Sequence, residues 1–241
     1  MAIDLNDKTA NGNTLTNNGA AEVSTSLPFA QSSTAVDLEN ADSDNLSAVD
    51  SVSLSVTGNL TLEGWFKFES LPSGGNRMYL LGKNGAAADR GYRFALFDNA
   101  GTNEMEISIS GDGTATTVKV VTWVASVDTW YHLAVVYTAA AGTADFYVNG
   151  VAQGAQQSGL PTSIFDSTSL FHIGTTTGTP AGEFMDGVVD DVRVWNTART
   201  QPQIDGNRSI ELIGSESGLV AYWPFESVLG AGTSGLQSKI W

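Results

Sequence analysis

Cysteine is absent from this 241-residue chain, so neither a disulfide framework nor thiolate chemistry is open to it. Histidine is almost as scarce. His132 and His172 are the only two, a scarcity that argues against a zinc site or imidazole catalysis. Basic residues number 11 against 26 acidic ones, for a formal net charge of -15. A field of that sign repels nucleic acid and anionic membrane surfaces, and it favours Ca²⁺ or uncharged partners such as glycans. The plainer alternative is that the acidity serves solubility. No apolar run approaches the ~20 residues of a membrane-crossing helix. Met1-Ala-Ile-Asp4 opens polar and acidic, without the basic and apolar regions of a secretory signal. That pattern suits a piece of an exported protein, or a component that reaches a virion or cell surface by another route. No Gly-x-Ser-x-Gly elbow frames a nucleophilic serine, and no Gly-x-x-x-x-Gly-Lys loop offers to cradle a phosphate.

What the chain does have is alternation. In Leu60-Thr-Leu-Glu-Gly-Trp-Phe-Lys-Phe68, Leu60, Leu62, Gly64, Phe66 and Phe68 share one face, while Thr61, Glu63, Trp65 and Lys67 share the other. Further strands are expected over residues 78–81, 92–97, 104–110, 116–124, 130–137, 170–173, 187–195 and 219–225. Asn149-Gly150 sits between apolar runs as a type I′ hairpin turn, which needs positive φ twice. One helical turn is expected near Thr200-Gln-Pro-Gln203, where Thr200 can cap and Gln203 can reach back. Residues 1–26 read as a loosely held arm with one short strand, and 227–241 as a tail to a single domain. Short strands and Gly-rich turns with no sustained helical period imply an all-β, two-sheet antiparallel sandwich.

Two acidic regions stand out. Asp37 and Glu39 point away from Val36 and Leu38, as on an edge strand, and Asn40-Ala-Asp-Ser-Asp-Asn45 follows. That loop has the spaced acids of a calcium loop but neither its glycine nor its distal glutamate, so a solvated loop is the simpler reading. In Phe184-Met-Asp-Gly-Val-Val-Asp-Asp-Val-Arg-Val-Trp195, strict alternation places Asp190 on a face with Val188, Val192 and Val194. A carboxylate so placed needs either a hard cation or backbone N–H donors.

The stretches Leu62-Glu-Gly-Trp-Phe-Lys, Trp130-Tyr-His-Leu-Ala-Val-Val-Tyr, Phe146-Tyr-Val-Asn-Gly and the strand ending Val192-Arg-Val-Trp-Asn-Thr-Ala-Arg-Thr, in that order and spacing, resemble the laminin-G-like, concanavalin A-like jelly-roll domains related to pentraxins. Gly218-Leu-Val-Ala-Tyr-Trp-Pro-Phe-Glu226 is similar to the strand that usually opens such a domain, although here it stands near the C-terminal end, as in a circular permutation or a cut from a tandem array. The resemblance implies a structural Ca²⁺, with Asp190 as the side-chain ligand and with Glu39, Asn40 and Gly58 offering carbonyls or a second carboxylate. It also implies a glycan or surface-protein ligand. Trp65 is the leading candidate for an aromatic platform, beside Glu63 and Lys67, with Trp123 next; Trp130, Trp195 and Trp223 are expected to pack inside. Lys83-Asn84-Gly85 and Asp89-Arg90-Gly91 are expected as rim loops.

Relatives that hydrolyse glycans place carboxylates at period two on a concave strand. Glu104 and Glu106 share a face here, but Ser108 stands where a third acid is needed. The expectation is therefore a non-catalytic, calcium-stabilised recognition or adhesion module, extracellular or at a virion or cell surface. Next comes a self-associating structural or decoration protein of a phage, virus or envelope, and last a glycoside hydrolase.

Overall fold

The computed structural model describes residues 2–180 and 183–228. The expected tail lies outside them from residue 229 onward. In chain order the strands are β1 (Ala2–Ile3), β2 (Thr16–Asn18), β3 (Glu22–Ser24), β4 (Ala35–Leu38), β5 (Asn45–Ala48) and β6 (Leu60–Phe68). There follow β7 (Arg77–Asn84), β8 (Arg90–Asn99), β9 (Thr102–Ile109), β10 (Thr117–Thr122), β11 (Trp130–Thr138), β12 (Thr143–Val148), β13 (Val151–Ser158) and β14 (Phe171–Ile173). The series closes with β15 (Gly187–Trp195), the helix α1 (Gln201–Asn207), β16 (Leu219–Trp223) and β17 (Ser227–Val228). Among the described residues no helix is long and apolar enough to cross a membrane.

Two antiparallel sheets stack into a sandwich. One has seven strands in the order β10-β9-β8-β7-β14-β5-β2, the other eight in the order β13-β12-β11-β6-β15-β4-β3. β16 lies beside the second half of β15, so that β4 and β16 share one flank of that strand in succession. The core lies between the sheets and follows from the alternation. Leu60, Leu62, Phe66 and Phe68 meet Tyr92, Phe94, Leu96, Met105, Ile107 and Ile109, all essentially buried. Asn149 and Gly150 both take positive φ, 50° and 79°, as the type I′ hairpin requires. The short helix forms where expected, with the Gln203 side chain accepting the Thr200 N–H at 2.9 Å.

The N-terminal arm is more integrated than its composition suggests. β2 edges the seven-stranded sheet, β3 edges the eight-stranded one, and β1 pairs with β17. Asp44 helps fasten it: the carboxylate is 2% exposed and accepts the Ala20 N–H at 2.6 Å. The acidic loop 40–45 is therefore a short 3₁₀ turn with a structural anchor.

The second correction concerns β15. Its pairing with β6 slips between Asp190 and Arg193, and Asp191 adopts a left-handed φ of 53°. One extra residue in a bulge reverses the alternation. Val189, Val192 and Val194 join the core, and Asp190 is not the odd member of a valine face.

Candidate functional site

The centre of the outer face of the eight-stranded sheet is covered. Residues 199–212, including α1, lie across it as a strap. Glu63 and Trp65 emerge beneath it at 0% and 5% exposure. Glu63 accepts the Trp195 indole N–H at 2.8 Å, and Trp65 donates its own to the Arg208 carbonyl while resting edge-on against His132. Arg193 ties the strap down: its guanidinium donates to the carbonyls of Asn207 and Ile210, at 3.0 and 2.7 Å, and to the Asp191 carboxylate. Burial raises the Asp191 carboxyl to about 6 against the pull of Arg193, and burial with three nearby arginines holds His132 neutral, well below its ordinary range. The aromatic platform expected at Trp65 and Glu63 is thus not an open surface. Trp123, 8% exposed, also belongs to the core, edge-on to Tyr131 at 4.8 Å. Trp195 and Trp223 pack inside, and Trp130 is half-buried.

The expected calcium ligands are not brought together. Asp190 is fully buried and already satisfied by the Ser32 hydroxyl at 2.6 Å and the Asp191 N–H at 2.7 Å, the hydrogen-bonded alternative to a cation. Gly58 lines a cleft with Asn11, Val52 and Asn196 next to the start of β6, whereas Glu39 sits by its far end. A nine-residue strand, ~26 Å at the usual rise, separates them. Glu39 instead meets Asp37, its neighbour on the same strand face, and Glu69, which the sequence pattern did not single out. Carboxylate oxygens of Asp37, Glu39 and Glu69 all lie within 4.8 Å of one another. Asp186 accepts the Asn40 N–H beside them at 3.3 Å. Burial and repulsion from neighbouring acids, Asp186 among them in each case, raise all three carboxyls above their ordinary range, with Lys67 opposing the shift at Asp37 and Glu69. Lys67 is thus the charge partner of this cluster, its ammonium 3.9 Å from Glu69. Asp37 Oδ1 and Asn40 Oδ1 are buried without a hydrogen-bond donor. An all-oxygen set with surplus negative charge and orphaned oxygens fits a hard cation. Asp37 and Glu39 at i and i+2 were the legible half of it; Glu69 comes from another strand end.

The outer face of the seven-stranded sheet is the open one. Residues 175–179 form a loop over it, pinned by the Thr176 hydroxyl to the Asn84 carbonyl at 2.9 Å. A groove of about 450 Å³ lies on one side, lined by Tyr79, Asn84, Arg90, Arg93, Thr116 and the loop. A second, of about 410 Å³, lies on the other, lined by Asn18, Asn45, Ser47, His172 and Phe184. The segments 83–85 and 89–91 do border the first groove, although Lys83 itself is buried and paired with Asp50 at 2.8 Å. Glu104, Glu106 and Ser108 share this face of β9, but Glu106 is fully buried. Arg77 Nε donates to both of its oxygens, at 2.9 and 3.0 Å, and Arg93 approaches at 3.4 Å. Both of its oxygens are thus engaged by guanidinium groups.

Residues 40–205 match the family described as the concanavalin A-like lectin/glucanases superfamily, in its laminin G group. No curated protein matches the chain. Among solved structures it is similar to a heptameric pentraxin from Limulus polyphemus, with 20% identity, TM-score 0.56, 72% of this chain and 80% of that one covered. It is also similar to domain 4 of an extracellular arabinanase from Geobacillus stearothermophilus, solved with arabinotriose, at 18% identity and TM-score 0.62, over 85% and 93% of the two chains. The active domain of tailspike protein 2 from bacteriophage CBA120 matches at 16% identity and TM-score 0.62, over 95% of this chain and 34% of that one. These likenesses agree with the two-sheet architecture, and with more than half of its length matched to the family, the chain belongs to the laminin G-like group of the concanavalin A-like lectin/glucanases superfamily.

Proposed function

We propose that this chain is a non-catalytic, calcium-stabilised recognition module that binds an extracellular glycan across the outer face of its seven-stranded sheet. The observation that carries this reading is the asymmetry of the two outer faces. The centre of one is covered by the strap; the other holds two grooves flanking loop 175–179. Such grooves, lined by amides, hydroxyls and a tyrosine, suit the hydroxyls and apolar ring faces of sugars. The arabinotriose complex of the arabinanase domain supports it. The pairing of Glu106 with two arginines supports recognition without cleavage.

Asp37, Glu39 and Glu69, with the Asn40 side-chain oxygen, are the residues that would hold Ca²⁺. The ion would relieve their mutual repulsion and bind the end of β6 to the loop after β4. A glycan array with and without Ca²⁺, together with calorimetric melting in Ca²⁺ and in EGTA, tests both parts. Binding to a saccharide class, and a melting temperature raised by calcium in the parent but not in Asp37→Asn/Glu69→Gln, is the expected result. No saccharide bound would remove the first part, and no calcium shift the second.

A surface or decoration protein of a phage or envelope is the second reading, favoured by the tailspike likeness over 95% of the chain. Light scattering on the eluting protein would show a defined oligomer in that case.

A further inference from the structure

The groove between loop 175–179 and β8 has a charge character opposite to that of the molecule. The chain carries 26 acidic and 11 basic residues, yet two arginines and no carboxylate line this groove. The nearest acids are already engaged, Glu183 with the Tyr79 side chain and with the Arg77 N–H at 3.2 Å. Glu106 lies beneath, gripped by Arg77 through three contacts of 2.9–3.0 Å. Asp89 turns the other way, accepting the Thr168 N–H at 2.7 Å and the Ser169 hydroxyl at 2.8 Å.

The arginines are, by contrast, underused. Arg93 reaches Glu106 only at 3.4 Å, its Nε is buried with no acceptor, and its plane rests over the Tyr79 ring at 5.2 Å. Arg90 donates to the Thr114 carbonyl at 2.9 Å and, among the described residues, makes no ion pair. A third group is unsatisfied: Asn84, 5% exposed, has a buried side-chain oxygen that receives no donor. Guanidinium forks match carboxylates in plane and spacing, while an amide oxygen accepts from a hydroxyl. A buried acceptor left empty is costly until something donates to it.

We propose that this groove is the subsite for a sugar carboxylate, the acidic unit of a uronate- or sialate-containing glycan. Its carboxylate is held by Arg93 and Arg90, and a neighbouring hydroxyl donates to the Asn84 side-chain oxygen. The assignment rests on the glycan-binding reading and names the substrate class of that site. The net charge of -15 works against long polyanions and leaves a short, locally read acidic unit as the favoured occupant.

The test is isothermal titration of the full chain with two matched pairs: trigalacturonate against its carboxyl-reduced form, and sialyllactose against lactose. At least one acidic member is expected to bind tenfold or more tightly than its neutral counterpart. Arg93→Met and Arg90→Gln are each expected to lower that affinity tenfold or more, with melting temperatures checked in parallel. Arg90→Gln changes a rim side chain outside the core and keeps the test sound if Arg93→Met fails to fold. Equal binding of acidic and neutral sugars overturns the carboxylate assignment and leaves glycan recognition standing. Acidic binding that survives both substitutions overturns the groove. Binding of no probe overturns this proposal, while a positive glycan array would still uphold the broader reading.

Discussion

Replacing Arg193 with methionine removes a buried cation that clamps the strap against the eight-stranded sheet. The side chain is fully buried. It faces the Asp191 carboxylate directly and Glu63 at 3.7 Å, and both of those are buried as well. Its loss strands the Asp191 carboxylate in a dry environment, leaves Glu63 with only the Trp195 indole and Arg199 at 4.0 Å, and takes the donors from the Asn207 and Ile210 carbonyls. Breaking a buried ion pair from one side costs about 3–5 kcal/mol, against a total stability on the order of 5–15 kcal/mol. For a domain of this size each kcal/mol moves the melting midpoint by roughly 2–4 °C, so a fall of roughly 6–20 °C is expected. Hydrogen exchange should localise the damage, with amides of residues 204–212 and the Trp65 indole N–H losing protection first. Adding Asp191→Asn to Arg193→Met should return a substantial part of the loss, because one uncompensated charge is then gone. A single variant melting within about 2 °C of the parent, or a double variant no better than the single, would refute the reasoning.

Three further outcomes follow from the geometry. Trp65→Ala is expected to cost about 3–5 kcal/mol of stability as a core truncation, while the folded protein at low temperature still binds whatever glycan the parent binds; selective loss of binding would return Trp65 to the ligand site. The carboxyls of Asp37, Glu39 and Glu69 sit above their ordinary 3.8 and 4.5, so the stability they contribute is full below those values and is lost as pH rises through the raised ones. In EGTA the melting temperature should therefore fall more steeply for the parent than for Asp37→Asn/Glu69→Gln between about pH 4 and pH 7, and calcium should abolish that difference; parallel slopes would count against the cluster. Gly187 has φ 134°, and a side chain there would press on the Lys67 carbonyl well inside van der Waals contact, so Gly187→Ala should lower the melting temperature by several degrees.

Much of this was legible in the residues. The faces of β6 could be read from Leu60 to Phe68, because period-two patterning directly reports which side chains meet the core. Asn149-Gly150 and Thr200 to Gln203 carry local turn and cap chemistry, which needs no tertiary partner to be recognised. The bulge at Asp190 and Asp191 was not legible, since nothing in Val188-Val-Asp-Asp-Val-Arg marks where an extra residue is accommodated. Trp65 looked like a surface platform because the strap that covers it lies more than 130 residues away in the chain, and its clamp is made to backbone carbonyls, which leave no trace in composition. The acidic cluster failed for a related reason: Glu69 and Asp37 are joined only through the placement of β6 and β4 on either side of β15.

The pairing of β1 with β17, extended by the Asp4 amide to the Glu226 carbonyl at 3.1 Å, brings residues 2–4 and 226–228 side by side. Tension applied across these two segments would part them one rung at a time, as a zip opens, rather than shearing many rungs together. The sandwich would then feel a load only after that ribbon had opened, so that a modest tug on an attached neighbour is spent at the seam while the sheet face with its grooves keeps its shape.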